Sequence, residues 1–520
     1  MRLLRRLIAV CLVLGAAAVP AARAQAPPEL DGLDAYVDAA MRDWKVPGAA
    51  IVVVRGDRIV YERGFGVREV GRPEPVDAHT VFAVASNTKA VTAAALATLV
   101  DRGALSWDAR AADLLPGFAL KDAWATRELT FRDLLSHRTG YETWGGDLLW
   151  YGSDLPTAEV LRRVRYLDPV ASFRSSWGYS NLMFIAAGEA IPALTDTSWS
   201  AYVGAHFLTP LGMTRTTTTT AALASMGNVA RPHTLVGGRV VAVPYRALDS
   251  AAPAAALNSS VHDWAQWLRL NVRGGIAPAG SPADGRRLVS ARGLAELRQP
   301  HSLRRLSDGA RRTFPSTHLL AYGLGWDVRD YRGRLLASHT GGMDGMLSMT
   351  GVVPEDSLAI AVFTNYDEQS LYSALFWHVL DRMMGAGPVD YSARFLATQT
   401  PDVPPVRDAS APVRGAAVDF AGTYTHPMLG RATIAPCAGG TSRAPRPGPT
   451  GLCIAFEHFA GLRGPLDPWH HDTFEATWND VYFRTSLVTF ERDDAGRPAR
   501  FRVRVRPDFV DPQEYVMARE

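Results

Sequence analysis

The sequence predicts an α/β protein of the α+β kind, in which helices flank an antiparallel sheet beside a mostly helical second lobe, and a small all-β barrel follows. Helix and strand patterns stand near the start of the chain, and strands followed by a helix return beyond about residue 320. One sheet completed from both ends of a domain explains this order. Short turns between consecutive strands make the sheet antiparallel. From about residue 418, short runs of alternating apolar and polar residues indicate a separate β unit.

The first elements of the domain are predicted from their periodicity. Apolar residues at helical spacing indicate a helix over residues 33–44. Residues 49–54 and 58–62 are typical of two strands, and Gly56-Asp57 between them is typical of a turn. The domain therefore begins with a helix and an antiparallel hairpin.

A second helix is predicted where the chain becomes rich in alanine. Residues 85–100 contain no Gly or Pro, so we expect a buried helix that begins at Ser86. Residues 105–312 then mix helical patterns with long polar connections, which predicts the helical lobe. The later elements are predicted as strands at residues 322–326, 334–339, 347–353 and 358–365, turns at 332–333 and 354–356, and a helix at about 370–384.

Composition sets the predicted domain boundaries. Residues 397–416 are rich in Pro and Ala, which is typical of a linker. We therefore predict a first domain at residues 29–390, a linker at 391–416 and a C-terminal β domain at 417–520.

The N-terminus has the pattern of an export signal. Basic residues at its start precede an apolar run over residues 7–19 and the cleavage pattern Ala22-Arg23-Ala24. This predicts a signal peptide at residues 1–24 and a periplasmic or secreted protein. Cleavage would remove four arginines and no acidic residue, which changes the formal net charge from +3 to −1 and gives no basis for nucleic-acid binding. No later apolar run approaches about 18 residues, so no integral membrane segment is expected.

Two cysteines remain in the predicted mature chain, Cys437 and Cys453. They flank a stretch rich in Gly, Ser and Pro, with strand-like runs on both sides. Exported compartments permit disulfides, so we predict a bridge between them at the base of a hairpin. The alternative is two free thiols packed as small apolar side chains.

The chemistry is predicted from a single lysine. Arginine outnumbers lysine 52 to 3, and Lys89 follows Ser86 by three residues. With so few lysines, a Ser-x-x-Lys pair is expected by chance only about 0.2 times in this chain. A serine hydroxyl becomes a strong nucleophile when a base takes its proton, and a lysine held neutral is such a base, whereas arginine keeps its proton. Residues three apart share a helix face, so the pair predicts a serine hydrolase.

Three further segments follow this pair in order. They are Leu134-Leu135-Ser136-His137-Arg138-Thr139-Gly140, Tyr179-Ser180-Asn181 and His339-Thr340-Gly341-Gly342. Together they resemble the serine β-lactamase and penicillin-binding-protein superfamily, especially its class C-like branch of esterases, D-amino-acid-directed peptidases and low-grade β-lactamases. The resemblance covers about residues 29–390 and implies a β-lactamase/transpeptidase-like fold. The start of the C-terminal domain, residues 418–424, is similar to the lipocalin-like barrel appended to many serine hydrolases of this group.

The resemblance implies a role for each matching residue. Ser86 would form the acyl-enzyme, and Lys89 would take or relay its proton. Tyr179 would act beside the lysine as a stabilised phenolate that passes a proton to the leaving group and later activates water. Whether Lys89 or Tyr179 accepts the first proton stays open. The implied substrate-binding residues are Asn181, His339, Thr340, Gly341 and Gly342.

The last of these motifs also implies the oxyanion hole and the kind of substrate. The backbone N–H groups of Ser86 and Gly342 would stabilise the oxyanion. His339 stands where the family usually has a lysine, whose permanent charge meets the carboxylate of penicillins and cell-wall peptides. A histidine is charged only part of the time near neutral pH, so we expect a different substrate and inefficient penicillin hydrolysis.

Two histidine motifs are not assigned to the site. His137 is interpreted as structural, because it lies between core-like leucines and the Thr139-Gly140 turn. His470-His471-Asp472 lacks further ligands at suitable spacing, so it is interpreted as an exposed loop. We predict neither a metal nor a cofactor.

These observations favour an exported serine hydrolase that acts on an ester or amide in a small molecule or peptide. One alternative is a β-lactamase or DD-carboxypeptidase acting on penicillins or cell-wall peptides. Another is a non-catalytic penicillin-recognising or ligand-binding protein that uses the barrel for recognition. The barrel is also a candidate for oligomerisation or for covering the site. Aromatic residues within 141–150 and 322–326 are candidates to line the cleft, and packing in the core is an equally good explanation for them.

Overall fold

The computed structural model describes residues 27–387, 389–399, 405–408, 410–413, 415–437, 450–506 and 510–520. The predicted signal peptide, residues 1–24, lies outside the described residues. Within these ranges, no helix is both long enough and apolar enough to cross a bilayer.

An eight-stranded antiparallel sheet forms the centre of the first domain. Its strand order is β2-β1-β12-β11-β10-β9-β8-β7, so the N-terminal hairpin pairs with the last strand of the domain. The predicted fold class is confirmed, including the sheet completed from both ends of the domain. The strands of the first domain are β1 (Gly48–Arg55), β2 (Arg58–Gly66), β3 (Phe82–Ala83), β4 (His233–Val236), β5 (Arg239–Ala242), β6 (Asn258–Ser259), β7 (Ser302–Leu303), β8 (Leu320–Tyr322), β9 (Asp327–Tyr331), β10 (Arg334–Met343), β11 (Met346–Val353) and β12 (Leu358–Thr364).

Helices cover the sheet and build the second lobe. They are α1 (Leu33–Trp44), α2 (Thr88–Asp101), α3 (Ala111–Leu114), α4 (Ala123–Glu128), α5 (Phe131–Leu135), α6 (Thr157–Arg163), α7 (Asn181–Gly188), α8 (Ala190–Thr195), α9 (Trp199–Val203), α10 (Thr209–Leu211), α11 (Ala252–Ala255), α12 (Val261–Val272), α13 (Ala291–Leu297), α14 (Asp308–Thr313), α15 (Leu371–Met383) and α16 (Tyr391–Leu396). The last of them occupies the start of the segment predicted as a linker.

The central sheet is buried on both faces. In β1, alternate residues such as Val52 belong to a core shared with α2 and α12, whereas Ile51 and its neighbours belong to a core shared with α1 and α15. Residues 49–54 are all fully buried. A strand covered on both sides needs apolar residues on both faces, which explains its continuous apolar run.

One predicted strand is wrong. Residues 322–326 were expected to be extended, but β8 ends at Tyr322 and β9 begins at Asp327. Gly325 in the connection has φ +81°, and a Cβ on it would lie 2.7 Å from the Lys89 carbonyl oxygen. A glycine is therefore needed where this connection crosses α2, and the backbone cannot stay extended there.

The C-terminal domain is a closed eight-stranded barrel. Its strands are β13 (Gly422–His426), β14 (Gly430–Pro436), β15 (Leu452–Phe456), β16 (Arg463–His470), β17 (Thr473–Thr477), β18 (Thr485–Arg492), β19 (Pro498–Val503) and β20 (Tyr515–Arg519). Cys437, next to the end of β14, is disulfide-bonded to Cys453 in β15, so the predicted bridge is confirmed.

Aromatic side chains fill the inside of the barrel. Five of them are almost fully buried and have neighbouring ring centroids 4.7–5.9 Å apart: Phe420, Tyr424, Phe474, Phe490 and Phe501. These rings therefore form a packed aromatic cluster in the core of the barrel.

Candidate active site

Ser86 lies at the entry to the central helix. Residues 85–87 form a 3-10 turn between β3 and α2, so the predicted helix begins two residues later than expected, at Thr88. Ala85 has φ +47° and is fully buried. This conformation costs a residue with a Cβ about 1 kcal/mol, and it turns the chain sharply just before Ser86.

Lys89 is fully buried, and its amine has three polar neighbours. The Nζ lies 3.1 Å from Ser86 Oγ, 2.6 Å from Asn181 Oδ1 and 2.9 Å from the carbonyl oxygen of Ala254. It also lies 4.9 Å from the ring centroid of Tyr179. The amide and carbonyl oxygens accept hydrogen bonds but have no proton to donate, so of these three hydrogen-bonding neighbours the serine hydroxyl is the one that can exchange a proton with the amine.

This arrangement suits a neutral amine. Burial lowers the pKa of Lys89 to about 7, and the nearby Asp147 raises it in part. A neutral amine has two N–H groups and one lone pair. When the two N–H groups point at Asn181 and Ala254, the lone pair faces the Ser86 hydroxyl.

Asn181 is held from its other side. Its Nδ2 donates to Asp147 Oδ2 at 2.6 Å, which leaves Oδ1 for Lys89. Asp147 also accepts from Trp150 Nε1 at 2.8 Å. Burial raises the pKa of Asp147 to about 8, while the hydrogen bonds from Trp150 and Asn181 lower it in part.

Tyr179 lies in the wall of the cleft close to Ser86. Its hydroxyl is buried and has no well-formed hydrogen bond within the described ranges. Burial raises the pKa of Tyr179 well above its usual value, and the nearby Ser86 hydroxyl lowers it by less. The expectation of a resting phenolate is therefore wrong. Desolvation outweighs any stabilisation of the anion, so Tyr179 is a neutral phenol that can donate a proton.

His137 supports this tyrosine from behind. Its Nδ1 accepts from the backbone N–H of Ser180 at 3.1 Å, and its carbonyl oxygen accepts from the N–H of Gly178 at 2.9 Å. The His137 ring lies 4.4 Å from the Tyr179 ring between centroids. It is fully buried, and burial lowers the pKa of His137 well below its usual value. These contacts fit the structural interpretation of this residue.

The third motif forms part of β10 beside the nucleophile turn. A Cβ on Gly341 would overlap the carbonyl oxygen of Val84, whereas one on Gly342 would, among the described residues, meet Leu347 Cδ2 at 3.2 Å and nothing nearer. Gly341 therefore permits the close approach of β10 to the turn. Gly342 and Thr340 are exposed and line the cleft with Gly341.

His339 is buried rather than presented to the cleft as a cation. Its Nδ1 lies 2.6 Å from the carbonyl oxygen of Thr340 and therefore carries the proton, so Nε2 accepts from the Tyr322 hydroxyl at 2.8 Å. Burial lowers the pKa of His339 to about 4. It is therefore neutral near pH 7 and cannot replace the charge of the family's usual lysine.

The cleft between these residues has a cavity volume of about 460 Å³. Its walls include aromatic residues, and Arg304 pairs with Asp327 and stacks 3.9 Å from the Trp177 ring centroid. Of the two segments expected to supply aromatic groups, 141–150 gives Trp144 and Trp150 and 322–326 gives Tyr322.

All the predicted site residues meet at this cleft or directly behind it, and several others were missed. Asp147, Ala254 and the barrel residue Val510 carry no motif that assigns them to a site. The sequence does not point to these residues, because each lies far along the chain from Ser86 and comes near it only in the folded protein. The described ranges contain no group of three or more side chains suited to hold a metal, and His471 lies exposed between β16 and β17.

Comparison with known proteins gives consistent results. The profile of the family described as Beta-lactamase matches residues 33–380, and that of a domain of unknown function (DUF3471) matches residues 407–516. The chain is 29% identical over 362 residues to unguisins hydrolase ungD' of Aspergillus campestris, covering 66% of this chain and 64% of that protein. It is 31% identical over 371 residues to penicillin-binding protein 4 of Amycolatopsis lactamdurans, covering 67% of this chain and 88% of that protein.

A solved structure has the same fold over nearly the whole chain. The octameric penicillin-binding protein homologue from Pyrococcus abyssi aligns over 94% of this chain and 99% of its own, with a TM-score of 0.62 and 19% identity. The chain spans just under two thirds of the unguisins hydrolases, 64% and 65% of their lengths. Because the family profile covers most of the sequence and the predicted motifs lie inside it, the chain belongs to the Beta-lactamase family.

Proposed function

We propose that this protein is an exported serine hydrolase that cleaves an ester or an amide through an acyl-enzyme on Ser86. The observation that carries the proposal is the surroundings of Lys89. Two fixed acceptors take two of its hydrogen-bonding positions, and the third faces the Ser86 hydroxyl at 3.1 Å. A pKa of about 7 leaves a large share of Lys89 neutral at neutral pH, so it can act as a base.

Acylation starts when Ser86 Oγ attacks the substrate carbonyl carbon. A bond forms between Oγ and carbon, the hydroxyl proton passes to Lys89 Nζ, and the carbonyl electron pair moves onto oxygen. The backbone N–H groups of Ser86 and Gly342 stabilise this oxyanion. Removing one such donor costs on the order of 3 kcal/mol of transition-state stabilisation in comparable enzymes.

Tyr179 completes the step. Collapse of the tetrahedral intermediate breaks the bond to the leaving alcohol or amine, and the neutral Tyr179 phenol donates a proton to it. Tyr179 then regains a proton from the Lys89 ammonium, so the proton of Tyr179 leaves with the product and the proton lost by Ser86 replaces it on the phenol. Water attacks the acyl-enzyme with the same two residues transferring its proton, which releases the acid and restores Ser86.

The charges of the cleft support substrates without a carboxylate beside the scissile bond. His339 is neutral because burial lowers its pKa to about 4. Arg304 is already paired with Asp327. A substrate carboxylate would therefore have to compete with Asp327 for its cation, whereas an uncharged acyl group can pack against aromatic walls such as Trp177. This favours esters and small amides over penicillins.

A second candidate is action on penicillins or cell-wall peptides. The 31% identity to penicillin-binding protein 4 over 67% of this chain favours it. Export is part of either proposal. The sequence pattern of residues 1–24 and the disulfide between Cys437 and Cys453 support it, because disulfides persist in exported compartments.

The proposal is tested by the intact mass of the mature protein after exposure to a fluorophosphonate ester. We expect a single adduct in the wild type and none in Ser86→Ala. This variant keeps every other serine of the chain, so it also controls for labelling at those serines. A folded wild type that forms no adduct would contradict the acyl-enzyme.

The substrate is tested with short alkyl and aryl esters, D-amino-acid amides and a penicillin. We expect turnover of esters or amides and slow reaction with the penicillin. Faster turnover of the penicillin than of every ester and amide would replace the first proposal with the second.

A further inference from the structure

The C-terminal barrel reaches the catalytic cleft through the connection between β19 and β20. Val510 in this connection lines the cleft, and the next residue, Asp511, is fully buried. Asp511 accepts from the backbone N–H of Gly146 at 3.2 Å and from that of Leu148 at 3.1 Å. A residue of the barrel therefore holds a loop of the first domain.

The two N–H groups belong to a short 3-10 turn, Asp147–Leu149, and to the residue before it. N–H groups at the start of such a turn have no partner within it. Asp511 supplies the missing acceptor from another domain. The Tyr515 hydroxyl at 2.6 Å and the Gln513 N–H at 3.0 Å also donate to Asp511, so four donors fix its carboxylate.

The held turn carries Asp147 towards the lysine. Asp147 Oδ2 accepts from Asn181 Nδ2 at 2.6 Å, and Asn181 Oδ1 accepts from Lys89 Nζ at 2.6 Å. The Asp147 contact decides which end of the Asn181 amide faces the lysine. Hydrogen bonds on both sides of the 147–149 turn, together with the backbone of the turn itself, thus connect the barrel to the amine.

We propose that Asp511 is a positioning residue for Lys89, acting through the 147–149 turn, Asp147 and Asn181, and that the barrel is therefore a working part of the active site. The proposal rests on the proposed function for its catalytic consequence. Its structural content, a coupling between Asp511 and the Lys89 amine, can be measured without catalysis.

The charges along this path predict the direction in which the pKa of Lys89 moves when Asp511 loses its charge. Burial raises the pKa of Asp511 to about 6, so its charge is present at neutral pH, and this charge raises the pKa of Asp147. Ionised Asp147 would in turn raise the pKa of Lys89. Removing the charge of Asp511 makes Asp147 ionise at lower pH, so Lys89 should titrate at higher pH. The charged groups of the path also face other titratable groups: Lys89 lowers the pKa of His137 and His339, and Asp147 raises that of Tyr179 and Tyr515. Arg304 and Asp327 face Tyr179 and His339 from the other side of the cleft and shift their pKa in opposite directions.

The test uses the small number of lysines. The full chain has three, Lys45, Lys89 and Lys121, so lysine labelled with ¹³C at Cε gives few NMR signals, and a Lys89→Arg protein assigns the one of interest. We expect the Lys89 signal to titrate near pH 7 in the wild type. In Asp511→Asn the midpoint should rise by about half a pH unit or more.

The matched control is Asp480→Asn. Asp480 also lies in the barrel at the domain interface, where it pairs with Arg246 at 2.8 Å, but it is not on the path to Lys89. This variant should leave the Lys89 midpoint unchanged. If Asp511→Asn does not fold, Tyr515→Phe replaces it. Loss of the Tyr515 hydroxyl raises the pKa of Asp511 and lowers its charge at neutral pH, so the Lys89 midpoint should shift in the same direction by less.

Acylation is measured on the same proteins. Asp511→Asn should lower the rate of fluorophosphonate labelling at pH 7 by about three- to tenfold, whereas Asp480→Asn should retain the wild-type rate. An unchanged Lys89 midpoint in folded Asp511→Asn, or an equal shift in Asp480→Asn, would overturn the proposal. A wild type that is not labelled, but whose Lys89 midpoint depends on Asp511, would contradict the acyl-enzyme and leave the positioning role intact.

Discussion

At the scale of single residues, the proposed chemistry depends on the cost of burying an ammonium group. Lys89 is fully buried, and its pKa falls to about 7 because water no longer stabilises its charge. Its acceptors, Asn181 and the carbonyl of Ala254, are uncharged, so they orient the amine without forcing it to stay protonated. The serine thus faces a base that can take its proton and that is deprotonated in a large share of the molecules at neutral pH.

Tyr179→Phe tests the source of the leaving-group proton. The substitution keeps the ring near Lys89 but removes the only proton that Tyr179 can donate. We expect kcat/KM for an alkyl ester, which reports the acylation step alone, to fall by about 10²–10⁴-fold. The fall for a p-nitrophenyl ester should be much smaller, because nitrophenolate leaves without protonation. Steady-state kinetics with both esters measure this difference, and equal losses would contradict the role of Tyr179 as an acid.

The sequence predicted the site residues that are close together along the chain or that belong to a recognisable motif. Ser86 and Lys89 are one helical turn apart, so their contact follows from spacing alone. Asp147 and Asp511 could not be predicted, because their contacts join parts of the chain that are far apart in sequence and meet only in the folded protein. The resting state of Tyr179 was also mispredicted, because a sequence does not show how completely a phenol is buried.

At the scale of elements, the site depends on how closely β10 approaches the turn before α2. Gly341 faces the Val84 carbonyl oxygen and Ser348, which leaves no room for a side chain. The Ser348 hydroxyl donates to the Val84 carbonyl at 2.9 Å and so ties β11 to the same turn. Strand and turn therefore fix the position of Ser86 together.

Gly341→Ala and Gly342→Ala form a matched pair. The added methyl group of Gly341→Ala overlaps backbone, so we expect it to destabilise the protein by about 1–3 kcal/mol. The methyl group of Gly342→Ala meets the flexible end of Leu347 at 3.2 Å, so a small adjustment should accommodate it. Thermal unfolding of both variants measures the difference. An equal fall in Tm would show that β10 does not press on the turn as described.

The boundaries of helices and strands were predictable where the apolar periodicity of the sequence determines them. They were not predictable where contacts with other elements determine them. The helix over residues 33–44 was predicted with the bounds observed for α1. The strand over 322–326 was not formed, because Gly325 must pass close to the Lys89 carbonyl and Gly323 close to that of Leu297. A Gly in a strand-like run can therefore mark a crossing of another element.

At the scale of the whole molecule, the two domains are joined by buried charge as well as by apolar packing. Arg246 in the first domain pairs with Asp344 at 2.6 Å and with Asp480 of the barrel at 2.8 Å. Its side chain is only 14% exposed and that of Asp344 is 2% exposed. A buried charge without its partner is costly, so this arginine stabilises the interface as it stands.

Arg246→Ala should lower the free energy of unfolding of the protein by removing the ion pairs at the interface between the two domains. Breaking a buried pair typically costs about 3–5 kcal/mol, because the remaining charge is left without a partner. Burial already raises the pKa of Asp344, and loss of Arg246 removes the main effect that lowers it. Asp344 then favours the protonated form in the folded state, so stability should fall further as pH rises above the carboxyl pKa of the unfolded chain.

Thermal unfolding at about pH 5 and about pH 8 measures both effects. The control is Arg497→Ala, since Arg497 is 77% exposed and pairs with Asp493 on the surface, where such pairs contribute little to stability. A Tm for Arg246→Ala equal to that of the control at both pH values would contradict the role of this ion pair.

The central claim is that neutral Lys89 activates Ser86, and the pH dependence of Ser86 acylation tests it most directly. The rate constant of labelling by a fluorophosphonate ester is measured between about pH 5 and about pH 9 by intact mass. We predict a rate that rises with pH and is half-maximal near pH 7, where Lys89 loses its proton. Lys89→Arg should not be labelled over this range, because arginine keeps its proton. A rate that does not change with pH, or that is retained in Lys89→Arg, would contradict the account.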